Sequence, residues 1–358
     1  MRYLLALLLS ACISFALIWA WIAAMPMAFM DPEYPSWRAK EVMLDRCDLG
    51  EVIILGDSRA AADILPTRLP FRTTNLAVGG GEAIEAFSVL TRVLECHSLP
   101  RMVILSLDAG HFTRPDLFWE RSVRFGFLSA TDIEGLRQAS HQTGDPSVYE
   151  ARPVEGLPPV LRDWLYRIHF PPLYFSSLAH GGGIFRWVRN QDRLAATLSA
   201  RGQYYFGTKP GSNTVAVEGE LEAFHPLPIL DFYFDKLLSE LDRRGIQTRF
   251  IAMPINDATW ARVRPAMRTG FAAYLAGYQR RYRNFLVEPD LMPHWPEQFF
   301  GDQFCHLNQE GAERFSNQLA QRLQEAPPRT QNEAQNGWLS DTGPDASASV
   351  VPISKRGS

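Results

Sequence analysis

Uncharged residues run without interruption from Leu4 to Ala24, a stretch of 21 that at 1.5 Å rise per residue makes about 30 Å of helix, the thickness of a bilayer's hydrocarbon core. Beyond it the pattern changes to short apolar runs at Val52–Leu55, Thr74–Val78, Met102–Leu107, Thr248–Met253 and Phe285–Glu288, each suited to a strand buried on both faces. Between the runs apolar residues recur at helical spacing, over Glu82–Glu95, Leu227–Arg244, Trp260–Tyr282 and Asn308–Leu323. Strand alternating with helix predicts an α/β fold, with a five-stranded parallel sheet between two helical layers. Such a sheet collects reactive groups at the carboxyl ends of its strands. The alternation lapses over 109–225, a stretch rich in aromatics that reads as a helical insertion, either a satellite core or a lid that shapes a groove or meets a membrane.

The resulting plan is a transmembrane helix at 1–25, a juxtamembrane linker at 26–45, one domain at 46–325 carrying the insertion, and a disordered tail at 326–358, where Pro, Ser, Gly and Asn replace apolar periodicity. The apolar run is longer than the core of a cleaved signal peptide and has Trp19 and Trp21 near its far end, which favours an uncleaved anchor. Arg2 precedes it while Asp31 and Glu33 follow it, so the domain is expected on the extracytoplasmic, periplasmic side of an inner membrane. Among 358 residues, 46% are hydrophobic and 21% charged, with a net charge of −3, which leaves no basic excess for nucleic acid. Cys47 precedes the first strand and Cys96 the third. In a 2-1-3-4-5 strand order these strands are neighbours, so a Cys47–Cys96 disulfide is expected, with Cys305 free.

Two features carry chemistry. Val52-Ile53-Ile54-Leu55-Gly56-Asp57-Ser58-Arg59 is a buried strand ending in Gly and presenting a Ser at the sheet's carboxyl edge, although Gly, Asp and Ser are also ordinary turn and cap residues. After the last strand, Gly301-Asp302-Gln303-Phe304-Cys305-His306-Leu307-Asn308 places an Asp and a His just ahead of a helix. Together these segments resemble the first and last blocks of the SGNH (GDSL) hydrolase superfamily. The family's terminal D-x-x-H is one residue longer here, which makes His306 the base and leaves Asp290 and Glu288 as alternatives to Asp302 for orienting it.

The resemblance implies the flavodoxin-like SGNH order, Ser58 as nucleophile, and Gly80 in the Asn75–Gly81 turn as an oxyanion donor beside the nucleophile's own N–H. Where the family supplies an Asn donor after the third strand, this chain has Ser106-Leu107-Asp108-Ala109-Gly110-His111. Asp108 is therefore expected to be structural or to bind substrate hydroxyls. Asn256, after the fourth strand, is either a substrate donor or a helix cap.

Anchor, variant blocks and insertion together look like the membrane-anchored members that O-acylate or deacylate cell-surface polysaccharides. What they imply is an esterase or O-acetyltransferase working through an acyl-Ser, with an acylated polysaccharide or small acyl ester as substrate and possible membership of a membrane-bound acyltransferase complex. The other class of reading is an inactive scaffold that binds polysaccharide or an export complex. No cofactor is expected, and no metal, since His294 and His306 flank Asp302 without tight ligand spacing.

Overall fold

The computed structural model describes residues 1–115, 117–151, 156–174, 186–208, 211–302 and 305–325; the tail expected at 326–358 lies outside them. Seven strands are present among the described residues: β1 Val52–Gly56, β2 Thr73–Asn75, β3 Met102–Ser106, β4 Gln247–Phe250, β5 Ile255–Asn256, β6 Phe285–Val287 and β7 His294–Trp295. Five form a parallel sheet in the order β2-β1-β3-β4-β6. This differs from the expected order in one respect. The fifth strand along the chain, β5, leaves the sheet to pair with β7, and β6 takes the edge. β1 and β3 are buried at every position, as a central strand covered on both faces requires.

The principal helices are α1 Arg2–Ala24, α2 Tyr34–Asp45, α3 Ser58–Asp63, α4 Ala83–Leu94, α5 Ala130–Thr143, α6 Pro159–Arg167, α7 Arg186–Ser199, α8 Pro228–Arg243, α9 Pro265–Arg281 and α10 Gln309–Glu325. α1 is long and apolar enough to cross a membrane and is almost wholly exposed. Between β3 and β4 the described residues hold helices and no strand, so the insertion is helical. It does not stand apart: α7 packs on α2, and α5 packs on α8.

One boundary is corrected. Residues 26–45, expected as a linker, are largely helical and buried: Met27, Ala28 and Phe29 are in the core, and α2 buries Tyr34, Trp37, Met43 and Leu44. Lys40, which in the sequence suggests solvent, is 1% exposed. Its Nζ donates to the carbonyl oxygens of Asn75, at 2.8 Å, and of Gly202. Two acceptors make its burial tolerable, and burial pulls the ammonium down to about 7.

Cys47 and Cys96 form the disulfide expected at the amino edge of the sheet, closing a separation of 49 residues. A loop of that length restricts the unfolded chain by about 4 kcal/mol. The double variant Cys47→Ser/Cys96→Ser is therefore expected to lose about that much unfolding free energy in a urea titration of the full chain in detergent.

Candidate active site

At the end of β1 the chain turns through Gly56, where a Cβ would lie 1.8 Å from the carbonyl oxygen of Ser106. Only glycine lets β1 and β3 end so close together. Asp57 then caps α3: its Oδ1 accepts the N–H groups of Arg59 and Ala60, at 2.9 and 3.2 Å. The cap leaves out the N–H of Ser58, the first residue of the helix. Its other oxygen accepts the Asp108 N–H from the loop after β3, at 2.8 Å.

At the opposite side Phe300 and Gly301 lie alongside His306 and Leu307. Phe300 and Leu307 form an antiparallel bridge, and Gly301 N–H donates to His306 O at 2.8 Å. Cys305 adopts a left-handed φ of 61°, which lets the longer Asp-to-His spacing still fold back. His306 Nδ1 and Asp302 Oδ2 are 2.5 Å apart, and Asp302 Oδ1 also accepts the His306 backbone N–H at 3.2 Å. Phe206 stacks on the imidazole with centroids 4.4 Å apart, fixing its plane. The alternatives to Asp302 are engaged elsewhere: Glu288 pairs with Arg249 and Arg322, and Asp290 accepts the Met292 N–H.

Ser58, Gly80, Asp108, Asp302 and His306 line one cavity of about 440 Å³. The expected Ser, Gly, Asp and His positions are thus brought together from distant parts of the chain. Asn256 is not among them. It is fully buried, its Oδ1 accepts the Thr259 N–H at 2.7 Å, and its amide donates to the carbonyls of Ser212 and Thr214, so its substrate-donor role is replaced by a capping one. It acts on the cavity indirectly, by holding the 212–214 segment whose Thr214 forms part of the wall.

Behind Ser58 lies a buried charge network. Arg59 makes a two-pronged pair with Glu218 of the insertion and stands 3.6 Å from Asp108 Oδ2. His111 Nδ1 is 2.9 Å from Asp108 Oδ1 and 3.6 Å from Asp57 Oδ2, an ion pair rather than an aligned hydrogen bond. Burial alone would push His111 down, but Asp108 first, then Asp57 and Glu82, outweigh it and lift the imidazole to about 10. Burial likewise opposes the Asp108 charge, yet His111 and Arg59 hold that carboxyl well below its ordinary value. Burial raises Asp57, against the pull of His111. Ligand-type atoms of Asp57, Asp108 and His111 lie within 4.8 Å of one another. Arg59 and four backbone N–H groups already engage those carboxylates, which makes the group a closed ion-pair cluster.

His111 and Arg59, both in the wall of the cavity, carry no assignment from the sequence. The first had a signal, an Asp-x-x-His spacing at a strand end; Glu218 had none, because its partner is distant in the chain. No family model, curated protein or solved structure matches the chain.

The far end of α3 is tied as firmly as its start. Asp63 Oδ1 accepts the N–H of Leu307, next to His306, at 2.9 Å, and burial pushes its carboxyl well above the ordinary 3.8. Asp63→Ala should cost about 1–3 kcal/mol by removing the acceptor of a buried N–H. Asp63→Asn keeps the acceptor and should cost less. Because the folded state holds this proton more tightly than the unfolded chain, the wild-type side chain's contribution falls as pH rises from 3.8. Thermal unfolding across pH should show D63N gaining on wild type as pH increases.

Proposed function

We propose that the chain is a membrane-anchored, extracytoplasmic serine acyl-transfer enzyme of the SGNH type, acting on an acylated glycan or a small acyl ester. The observation that carries this reading is the convergence of Ser58 with the Asp302–His306 pair on one cavity. A serine hydroxyl alone is a weak nucleophile at neutral pH, and an oriented imidazole at the same cavity is the group that activates it. Ser58 Oγ attacks the acyl carbonyl carbon as His306 accepts the hydroxyl proton. The negative charge moves onto the carbonyl oxygen, and on collapse the leaving alcohol takes the proton from the imidazolium. The acyl-Ser is then resolved by water, giving the free acid, or by a sugar hydroxyl, giving a new ester.

The oxyanion would meet the backbone N–H groups of Ser58 and Gly80. The family's Asn has no counterpart, and Asp108 at that place would repel the developing charge. His111 answers both difficulties: it neutralises Asp108, and with Nδ1 turned to the carboxylates its Nε2–H edge is the donor left for the cavity. The volume suits a small acyl group and part of its carrier, with Val215, Ala216 and Val217 on one wall and Arg114 and Glu220 supplying polar groups. The extracytoplasmic orientation draws support from the Cys47–Cys96 disulfide, which persists in oxidising compartments.

The test uses the full chain in detergent, a serine-directed fluorophosphonate and peptide mass. Modification confined to Ser58, lost in Ser58→Ala and His306→Ala, is expected. A folded wild-type protein that takes no label would overturn the enzyme reading in favour of a polysaccharide-binding scaffold. With an aryl acetate, Asp302→Asn should lower kcat by about 10²–10⁴-fold.

His111→Gln should lower kcat by about 10²–10³-fold with KM little changed, as for removal of an oxyanion donor. In the wild type the rate should fall as pH rises through about 10, where His111 loses its proton, and that limb should be absent from the His111→Gln profile.

A further inference from the structure

Helix α6 is built the wrong way round for a helix facing water. Its buried residues are Arg162 and Tyr166, while Val160, Leu161 and Trp164 are 68%, 41% and 56% exposed. Arg162 is paired inside, its Nη2 2.7 Å from Glu120 and its guanidinium over the ring of Trp119. The outward face is thus an apolar stripe at positions i, i+1 and i+4.

What covers that stripe is indicated by the next few residues. Trp19 Nε1 of α1 donates to the carbonyl oxygen of Ile168 at 2.7 Å, and Phe170 packs against both Phe15 and Trp19, with centroids 6.3 and 5.9 Å apart. Phe15 and Trp19 lie about 14 and 8 Å before the end of α1 at 1.5 Å rise per residue. If α1 spans a bilayer, the turn after α6 is already below the headgroups, at the depth where interfacial helices bury their apolar faces. The first turn of α7 repeats the pattern. Trp187 and Val188 are exposed, and Asn190 ties the turn to the carbonyls of Met27 and Met30 in the segment that follows α1.

We propose that the exposed faces of α6 and of the first turn of α7 are a second membrane contact, seated in the interfacial layer of the leaflet from which α1 emerges. The domain is docked on lipid and not merely tethered to it. The partner is the bilayer because the patch is continuous with α1; Arg189, exposed beside Trp187 and Val188, suits anionic headgroups. This rests on the reading of α1 as a membrane span and is independent of the chemistry at Ser58.

The test uses the full chain with Cys12→Ala, reconstituted in nanodiscs of phosphatidylcholine and phosphatidylglycerol. Nitroxide labels are placed singly at Val160→Cys, Trp164→Cys and Val188→Cys, all at exposed positions where substitution spares the core. Leu8→Cys in α1 reports the span, and Arg243→Cys at the end of α8 reports water. Collision with oxygen should exceed collision with a nickel chelate several-fold at 8, 160, 164 and 188, and the order should reverse at 243. Water-like accessibility at 160, 164 and 188 together with lipid at 8 would overturn the docking and leave the anchor standing. Water at 8 would overturn both.

Discussion

The carboxylate of Asp57 is the constraint on which the candidate site depends. It accepts two N–H groups of the helix that starts at Ser58 and a third from Asp108 on the neighbouring strand's loop. A side chain buried to this degree holds its place because its oxygens are engaged by backbone, and backbone does not swing as side chains do. The serine's position is therefore referred to two strands of the sheet at once, β1 through the chain and β3 through the hydrogen bond. Any displacement of Ser58 would have to break the cap or bend a strand buried at every residue.

The same logic holds at the other end of a helix only six residues long. Asp63 engages Leu307, and Ser316 of α10 bridges the same turn by donating to Asp63 O and accepting the Leu65 N–H. One rigid turn and a half thus links Ser58 to the loop that carries His306. A loop supplies His306, but a helix clamped at both ends by aspartate side chains sets its separation from Ser58. That is the arrangement a pre-organised site requires.

This division explains what could be read from the sequence. Gly56-Asp57-Ser58 and His306 were legible because a parallel sheet delivers every strand's carboxyl end to one edge, so local pattern and topology suffice. The disulfide was legible for the same reason at the opposite edge. Residues 26–45 were not: Lys40 and Glu33 signal solvent to any composition argument. Their burial depends on the acceptors Asn75 O and Gly202 O for the lysine, and on Arg121 and Trp37 for the glutamate. Asn256 shows a different limit. Its place at a strand's end was correct, but whether an amide faces a cavity or a helix N-terminus is decided by its neighbours' backbone, which spacing does not encode.

The insertion's role follows from which groups it pairs with. A satellite core would be joined to the sheet by apolar contacts alone. Here Glu218 reaches into the sheet edge to pair with Arg59, the residue next to Ser58, and the 214–217 segment beside it lines the cavity. Arg121, also in the wall, pairs with Glu33, whose carboxylate lies against Gly79 in the turn that bears Gly80. Glu33 follows α1 by only a few residues. The segment leaving the apolar helix, the insertion and the sheet's carboxyl edge thus each contribute a charged partner to one cavity wall. A buried ion pair that loses one partner is far costlier than one never formed, so these three parts are bound to adopt a single arrangement. The cavity is then complete only when the segment following α1 is in place, which makes it a feature of the sheet together with that segment and not of the sheet alone.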